Sequence, residues 1–323
     1  MKVTIVIPMC NEEENARNTV EQVKTIIDKS GNQWEILVID DGSVDKTAKV
    51  IKELARNDDR IKIISHSVNC GRGRALKTGF INASGDIIVT IDADLSYTPE
   101  HITRLIEELQ KDTSIDIVLG SPYMVGGRAK NIPFHRIFLS KMGNRVLRFA
   151  LSSKLHTFTG ILRAYRKNVI NSMLLESDGK ELYLEIVSKA IALGYNIKEI
   201  PATLTGRSRG KSKFKFKDTA ISHLLFSFYE KPAIIFGALG AGMLLIGLGI
   251  GIHLILLWHK GILTSGRPLF TLLMILIIGG AVFLSFGFIG TQIAILRKEI
   301  YKLQRNSNFP HRDISNNEHR NLR

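Results

Sequence analysis

Cysteine is scarce: the 323-residue chain has two, Cys10 and Cys70, and no C-x-x-C pair. That excludes a disulfide scaffold and a cysteine-based metal site, and it suits a reducing compartment. Tryptophan is equally rare, at Trp34 and Trp258. No signal peptide is predicted, because the apolar stretch Val3–Ile7 is short and runs into Asn11-Glu12-Glu13-Glu14. The most informative absence is charge near the C-terminus. The 26 residues from Ala233 to Trp258 and the 29 from Pro268 to Leu296 contain no Asp, Glu, Lys or Arg. At about 1.5 Å per residue, either run is longer as a helix than the roughly 30 Å hydrocarbon core of a bilayer. The short link His259–Arg267 predicts an antiparallel transmembrane hairpin.

The charge lies elsewhere. Lys and Arg number 44 against 30 Asp and Glu, a net charge of +14, while the mean hydropathy is still +0.07. A soluble chain this basic suggests nucleic acid or an anionic surface. Here Arg207, Arg209, Lys211, Lys213, Lys215, Lys217 and Lys231 precede the first apolar run, and Arg297, Lys298, Lys302 and Arg305 follow the second. The link carries only Lys260 and Arg267. The positive-inside rule then predicts an integral protein of the cell membrane whose N-terminal region and C-terminus are cytoplasmic. The expected partner is the lipid bilayer and not nucleic acid. Gly237/Ala241 and Gly247/Gly251, at four-residue spacing, permit close helix contact within the hairpin or between subunits of a homo-oligomer.

In the first two hundred residues, β-rich runs alternate with amphipathic stretches. Strands are predicted at Val3–Ile7, Glu35–Ile39, Ile61–Ile64, Ile87–Ile91 and Ile115–Leu119, and helices at Glu12–Lys29, Lys46–Arg56, Gly73–Ala83 and Glu100–Gln110. This alternation implies an α/β fold, a mostly parallel sheet with helices on both faces. Ligands on such sheets collect at the carboxyl ends of the strands. Three of those ends are acidic: Asn11-Glu12, Asp40-Asp41-Gly42-Ser43 and Asp92-Ala93-Asp94. Asp92 and Asp94, two carboxylates one residue apart at the mouth of an apolar strand, repel unless a cation lies between them. A hard divalent ion shared with substrate phosphates is the usual solution.

Ile-Pro-x-x-Asn-Glu (7–12), Asp-Asp-Gly-Ser (40–43), Asn-x-Gly (69–71) and Asp-Ala-Asp (92–94) resemble the GT-A glycosyltransferases of family 2. Gly120-Ser121-x-Tyr123-x-x-Gly126-Gly127, Thr159-Gly160-x-x-Arg163-Ala164-Tyr165-Arg166 and Arg207-x-x-Gly210-x-Ser212-Lys213 narrow the likeness. Together with the hairpin, they resemble the polyprenyl-phosphate branch, the dolichol-phosphate mannose synthases and bacterial polyprenyl-phosphate glucosyltransferases. The resemblance implies a Rossmann-like GT-A domain over 1–205, a basic loop and interfacial helix over 206–231 and two transmembrane helices within 232–296. It also implies inverting transfer of a hexose from a UDP- or GDP-sugar to a dolichyl or undecaprenyl phosphate. The basic tail over 297–323, with repeated Asn and Arg and little apolar periodicity, is predicted to be disordered beyond its first two helical turns.

By the same resemblance, Pro8, Asn11, Glu12, Asp40 and Asp41 receive the nucleoside, and Asp92 and Asp94 hold Mg²⁺ or Mn²⁺ against the diphosphate. Arg136 and Ser140 fall where relatives bind the acceptor phosphate, and Arg207, Ser212 and Lys213 would close over the phosphates. A phosphate acceptor is already an anion and needs no general base; it needs cations, Arg above all. Pro133–Leu151, which mixes basic and apolar residues, reads as a helix suited to an anionic membrane surface. Three positions depart from the family pattern: Pro122 replaces a common Arg, Ser96 a common Gln, and His156 an Asp before the Thr-Gly motif.

Rival readings meet specific obstacles. A processive polysaccharide synthase would carry a Gln-x-x-Arg-Trp motif, and neither Trp stands in that context. A Rossmann dehydrogenase needs a third glycine where Leu76 stands. A membrane-anchored sugar-nucleotide-binding or scaffold protein without turnover would be favoured by loss of Asp92, Asp94 or Arg207, and all three are present.

Overall fold

A computed structural model describes residues 1–206, 231–262 and 268–308. The basic loop and interfacial segment (207–230) and the last residues (309–323) lie outside the described residues, and so do Arg207, Ser212 and Lys213. The chain divides into two compact units.

In the first unit, β1 (Lys2–Met9), β2 (Gln33–Asp40), β3 (Ile61–Ser65), β4 (Ile87–Thr90) and β5 (Ile117–Ser121) fall within two residues of the predicted strands. With β7 (Arg163–Arg166) and β8 (Ile197–Pro201) they form one sheet in the order β3-β2-β1-β4-β7-β5-β8. All neighbours run parallel except β7, which lies antiparallel between β4 and β5. Two short strands, β6 (Arg128–Lys130) and β9 (Thr203–Thr205), pair separately.

The helices follow from spacing. In α2 (Thr47–Asn57) the buried residues are Thr47, Ile51 and Leu54; in α4 (Glu100–Lys111) they include Ile102, Leu105, Ile106 and Leu109. Both sets repeat every three to four residues, which turns one stripe of the helix to the core. The α1 helix (Glu13–Asp28) packs with α2 and α4, while α3 (Arg72–Asn82) packs on β1 and β2 and against α6 (Lys167–Asn171). The remaining helices of this unit are α5 (Phe134–Ala150) and α7 (Leu182–Ala192). Strand order reverses at β1, which has β2 on one side and β4 on the other. A doubly wound sheet opens a crevice at such a point, at the carboxyl ends of the strands.

One buried carboxylate ties the far edge of the sheet together. Glu35 of β2 accepts hydrogen bonds from Thr4 Oγ1 (2.7 Å), Ser84 N (2.8 Å), Ser84 Oγ (2.6 Å) and Lys62 Nζ (2.9 Å). Burial alone would raise its pKa, but the bonds from Ser84, Lys62 and Thr4 outweigh burial and lower it from 4.5 to about 2. A lowered carboxylate pKa stabilises the fold above the unfolded value, and that stability is lost as pH falls through the folded one. Melting temperature should therefore decline between about pH 4.5 and 2, and Glu35→Gln should flatten that part of the profile, measured by thermal denaturation of the detergent-solubilised protein.

The second unit holds α8 (Pro232–His259) and most of α9 (Pro268–Asn308). Both are long and apolar enough to cross a membrane, and only 11% of the most apolar window of each is buried. They pair antiparallel along their length: a Cβ on Gly290 would meet Pro232, one on Gly287 would meet Phe236, and one on Gly247 would meet Leu276. The two backbones come close at Gly240, where a Cβ would stand 2.7 Å from the Gly280 carbonyl oxygen. Gly237, singled out by its spacing, faces open space. The α9 helix also continues past Leu296 to Asn308, one turn beyond the two expected, since neither Gly nor Pro occurs between Gly290 and Pro310.

Candidate active site

Three loops meet at the carboxyl ends of β1, β2 and β4, and the acidic motifs form them. Pro8 is buried on β1 opposite Ile39, and Met9 pairs with Asp40. Asn11, at φ +52°, donates its N–H to Ser43 Oγ (2.9 Å) and accepts from the Val44 N–H through Oδ1 (2.9 Å). The Glu12 N–H donates to Thr47 Oγ1 (2.8 Å), and its carboxylate accepts from Asn15 Nδ2 (2.8 Å). The first two loops are thus stitched into one wall.

Asp40 and Asp41 are buried behind that wall, each 3% exposed. The Asp40 carboxylate accepts from the Ser43 N–H. Asp41 accepts from the N–H groups of Cys70 and Gly71 (both 2.9 Å), and His66 Nδ1 lies 2.8 Å away. Gly42, at φ +66°, lets the two loops approach: a Cβ there would lie 2.3 Å from the Val68 carbonyl carbon. Asp41, His66 and Cys70 are close enough to share a cation. Both Asp41 oxygens are already engaged by loop N–H groups, however, so this trio shapes the 66–71 loop.

Asp92 and Asp94 follow β4. The Ala93 carbonyl between them accepts from Thr19 Oγ1 of α1 (2.5 Å), and Leu95 turns at φ +51°. Asp94 Oδ1 accepts from the Ser96 N–H (3.0 Å) and Oγ (2.6 Å). Asp92 Oδ1 is ion-paired with Arg72 Nη1 at 3.0 Å. Sequence reasoning gave Arg72 no role, although it stands directly after Asn-x-Gly at the start of α3. Asp92 holds the Arg72 guanidinium firmly protonated, and Tyr183 lies beside it. The Tyr183 hydroxyl is buried beside that guanidinium. Two hard oxygen ligands with a guanidinium already attracted to one of them form a donor set that fits Mg²⁺ or Mn²⁺. A cavity of about 350 Å³ opens on the helix side of Asp94, lined by Asn15, Thr19, Gln22, Thr98 and Glu100.

The expected acceptor residues are reached through an aromatic wall. Tyr97, raised in pKa by burial, lies among Asp92, Tyr123, Arg163 and Tyr183. Tyr123, also raised by burial, hydrogen-bonds Ser140 and lies near Arg136, both on α5. Ser96, in the Asp-Ala-Asp loop, accepts through its carbonyl from the Thr205 N–H (2.8 Å), and Gly206 N–H donates to the Lys130 carbonyl (2.9 Å). The chain leading to Arg207 therefore starts beside the carboxylates.

His156 occupies a loop. Its Nδ1 lies 2.9 Å from Glu199 Oε2, and Glu199 also accepts from the N–H groups of His156 (2.8 Å) and Thr157 (2.7 Å). Arg163, quoted above only as part of a motif, is 1% exposed. It donates to the carbonyls of Gly160 (2.6 Å), Tyr183 (2.8 Å) and Phe158 (2.5 Å). It is a structural residue that holds the floor of the site.

A mostly parallel sheet with paired carboxylates after β4 defines a nucleotide-sugar transferase of the GT-A type. Residues 4–174 match the model of glycosyl transferase family 2, and the chain belongs to that family. It is 35% identical over 219 residues to the polyprenol monophosphomannose synthase of Mycolicibacterium smegmatis, covering 66% of this chain and 80% of that one. It is 35% identical to the dolichol-phosphate mannosyltransferase of Pyrococcus furiosus, over 67% of this chain and 60% of the relative. With the undecaprenyl-phosphate 4-deoxy-4-formamido-L-arabinose transferase of Shewanella sediminis it shares 29% identity over 92% of this chain and 88% of the other. The glucosyl-3-phosphoglycerate synthase of Mycobacterium tuberculosis, solved with Mn²⁺, UDP-glucose and phosphoglyceric acid, superposes with a TM-score of 0.55 at 20% identity, over 70% of this chain and 79% of that one. That likeness establishes the GT-A fold.

Proposed function

We propose that the protein transfers a hexose from a UDP- or GDP-sugar to a polyprenyl phosphate at the cytoplasmic face of the cell membrane, with inversion at the anomeric carbon. An acceptor phosphate oxygen forms the new bond to that carbon while the bond to the donor's β-phosphate breaks and the nucleoside diphosphate leaves. The observation that carries this reading is the Asp92–Arg72 pair beside Asp94, at the carboxyl end of β4 next to the strand-order reversal at β1. The names of the relatives support the acceptor class. Bound Mg²⁺ or Mn²⁺ would supply positive charge to the departing diphosphate. Asp92 and Asp94 would orient it, and the loops at Pro8, Asn11, Glu12, Asp40 and Asp41 would receive the nucleoside. Arg136 and Ser140, positioned by Tyr123, would hold the acceptor, with Arg207, Ser212 and Lys213 closing over the phosphates. The apolar α8–α9 hairpin would anchor the enzyme in the membrane. Its small residues offer a surface for a second copy.

Arg72 has a place in this scheme. It neutralises Asp92 until donor and metal arrive, then turns to the diphosphate. Arg72→Gln should tighten Mn²⁺ binding to the donor-free protein several-fold, read by electron paramagnetic resonance, while raising the KM for the donor. Weaker Mn²⁺ binding would count against the exchange.

The acceptor chemistry supplies the test of function. A phosphate acceptor is already an anion and needs cations and hydrogen-bond donors, which Arg136 and Ser140, gathered at Tyr123, would supply. Polyprenyl phosphate should be glycosylated and the corresponding polyprenol should not. Equal transfer to the alcohol would sink the proposal.

A further inference from the structure

The buried stripe of α4 is apolar at Ile102, Leu105, Ile106 and Leu109, and it also carries His101, which is 7% exposed. A buried imidazole costs free energy unless its polar atoms find partners. His101 Nε2 accepts the Thr203 N–H at 3.0 Å. A neutral imidazole has one donor and one acceptor nitrogen, so this bond makes Nε2 the acceptor and leaves the proton on Nδ1. Arg104, one turn further along α4, places Nη1 3.3 Å from Nδ1. Among the described residues, Arg104 and Glu100 are the charged groups that act on the ring, and the β9 side presents the Thr203 N–H. Burial first, and Arg104 second, hold the ring below its usual pKa against a smaller pull from Glu100.

Thr203 opens β9, which joins the carboxylate loop to the basic segment. On one side β9 pairs with β6, Arg128 opposite Thr203 and Lys130 opposite Thr205. Leu204 also bridges Tyr97, and the Thr205 N–H donates to the Ser96 carbonyl (2.8 Å). Ser96 in turn donates to Asp94 through its N–H and Oγ. Gly206 and Arg207 follow β9 directly. At three residues β9 is at the short limit for a strand, so each tie carries a large share of its hold. The ties to β6, Tyr97 and Ser96 join backbone to backbone and do not depend on pH. The tie to His101 does, because a second proton on the ring would set an Nε2–H against the Thr203 N–H, donor facing donor.

We infer that His101 is a positioning residue for the transfer reaction, fastening β9 while its ring is neutral and releasing β9 when the ring is protonated. The chain that carries Arg207, Ser212 and Lys213 departs from β9, so the neutral ring sets where that chain begins. The inference rests on the reading above, in which those three residues close over the phosphates. It adds a group that acts through β9 and not on a substrate, and a pH dependence that the transfer chemistry does not itself require.

The test uses the full-length protein in detergent with Mn²⁺, a short-chain polyprenyl phosphate and the sugar donor, and follows kcat/KM for the acceptor between about pH 8 and 5. His101→Gln keeps an amide oxygen that can accept from Thr203 and takes up no proton in this range. His101→Leu keeps much of the bulk and offers no acceptor. On acidification the unsubstituted protein should lose several-fold more kcat/KM than His101→Gln. The other histidines and the acceptor phosphate are common to both proteins, so the ratio of the two isolates position 101. His101→Leu should already be several-fold impaired at the alkaline end, and its ratio to His101→Gln should not change with pH. Hydrogen exchange of a peptide spanning 201–206, corrected for the intrinsic rate, gives a readout besides activity. Protection there should fall on acidification in the unsubstituted protein and hold in His101→Gln, a comparison that stands even if His101→Leu does not fold. Parallel pH profiles, or equal protection, for the unsubstituted protein and His101→Gln would overturn the inference while leaving the transfer reading intact. A folded His101→Leu with undiminished kcat/KM at the alkaline end would overturn it as well. Unsubstituted protein that transfers no sugar to polyprenyl phosphate at any pH would remove the transfer reading and this inference together.

Discussion

Replacing Asp94 by Asn should lower kcat/KM for sugar transfer by roughly 10²–10³-fold while leaving the melting temperature within experimental scatter. The substitution keeps the side-chain shape and the carbonyl oxygen that accepts from the Ser96 N–H and Oγ. It removes the negative charge that, with Asp92, makes the β4 loop attractive to a divalent cation. Asp94 is half-buried at a loop, and substitutions at such sites usually stay within about 0.5 kcal/mol of the parent. Activity and stability should therefore separate. Steady-state kinetics with matched thermal melts would check this; an Asp94→Asn enzyme that turns over normally would remove the carboxylate pair from the mechanism.

Arg163→Met should have the opposite signature, with a large loss of stability on the order of 3–5 kcal/mol. Three backbone carbonyls, of Phe158, Gly160 and Tyr183, depend on this buried guanidinium. Methionine fills much of the volume and satisfies none of them. For a domain of this size the change corresponds to a fall of about 10 °C in melting temperature. Arg163→Lys should recover only part of the loss, because a point charge cannot reproduce the planar fork that reaches three acceptors. Tyr183 is both a partner of Arg163 and the neighbour of Arg72, so the Met variant should also weaken donor binding. A melting temperature unchanged by Arg163→Met would show that these carbonyls find other partners.

These two residues mark where the sequence was legible and where it was not. Strands such as Ile36-Leu37-Val38-Ile39, buried on both faces, read as strands because nothing else accommodates such a run. Asp92 and Asp94 were legible because their chemistry is compressed into three residues. The β7 strand, Arg-Ala-Tyr-Arg, was missed. Its two arginines look like surface residues until the carbonyls they serve are seen: those of Phe158, Gly160 and Tyr183 for Arg163, and those of Leu109, Asp112 and Ile115 for Arg166. Arg72 was missed for a related reason. Its partner lies twenty positions along the chain, and only the placement of α3 beside the β4 loop brings the two together. Local pattern reveals elements and compact motifs, whereas pairs assembled by topology need the fold.

The central claim is that this site moves a sugar onto a lipid phosphate. Its most direct measurement is transfer of radiolabel from a panel of UDP- and GDP-sugars to a short-chain polyprenyl phosphate, by the purified full-length protein with Mn²⁺. One donor should yield a labelled lipid phosphodiester, and Asp94→Asn should all but abolish that product. No labelled lipid from any donor, with nucleotide binding unaffected by Asp94→Asn, would contradict the account.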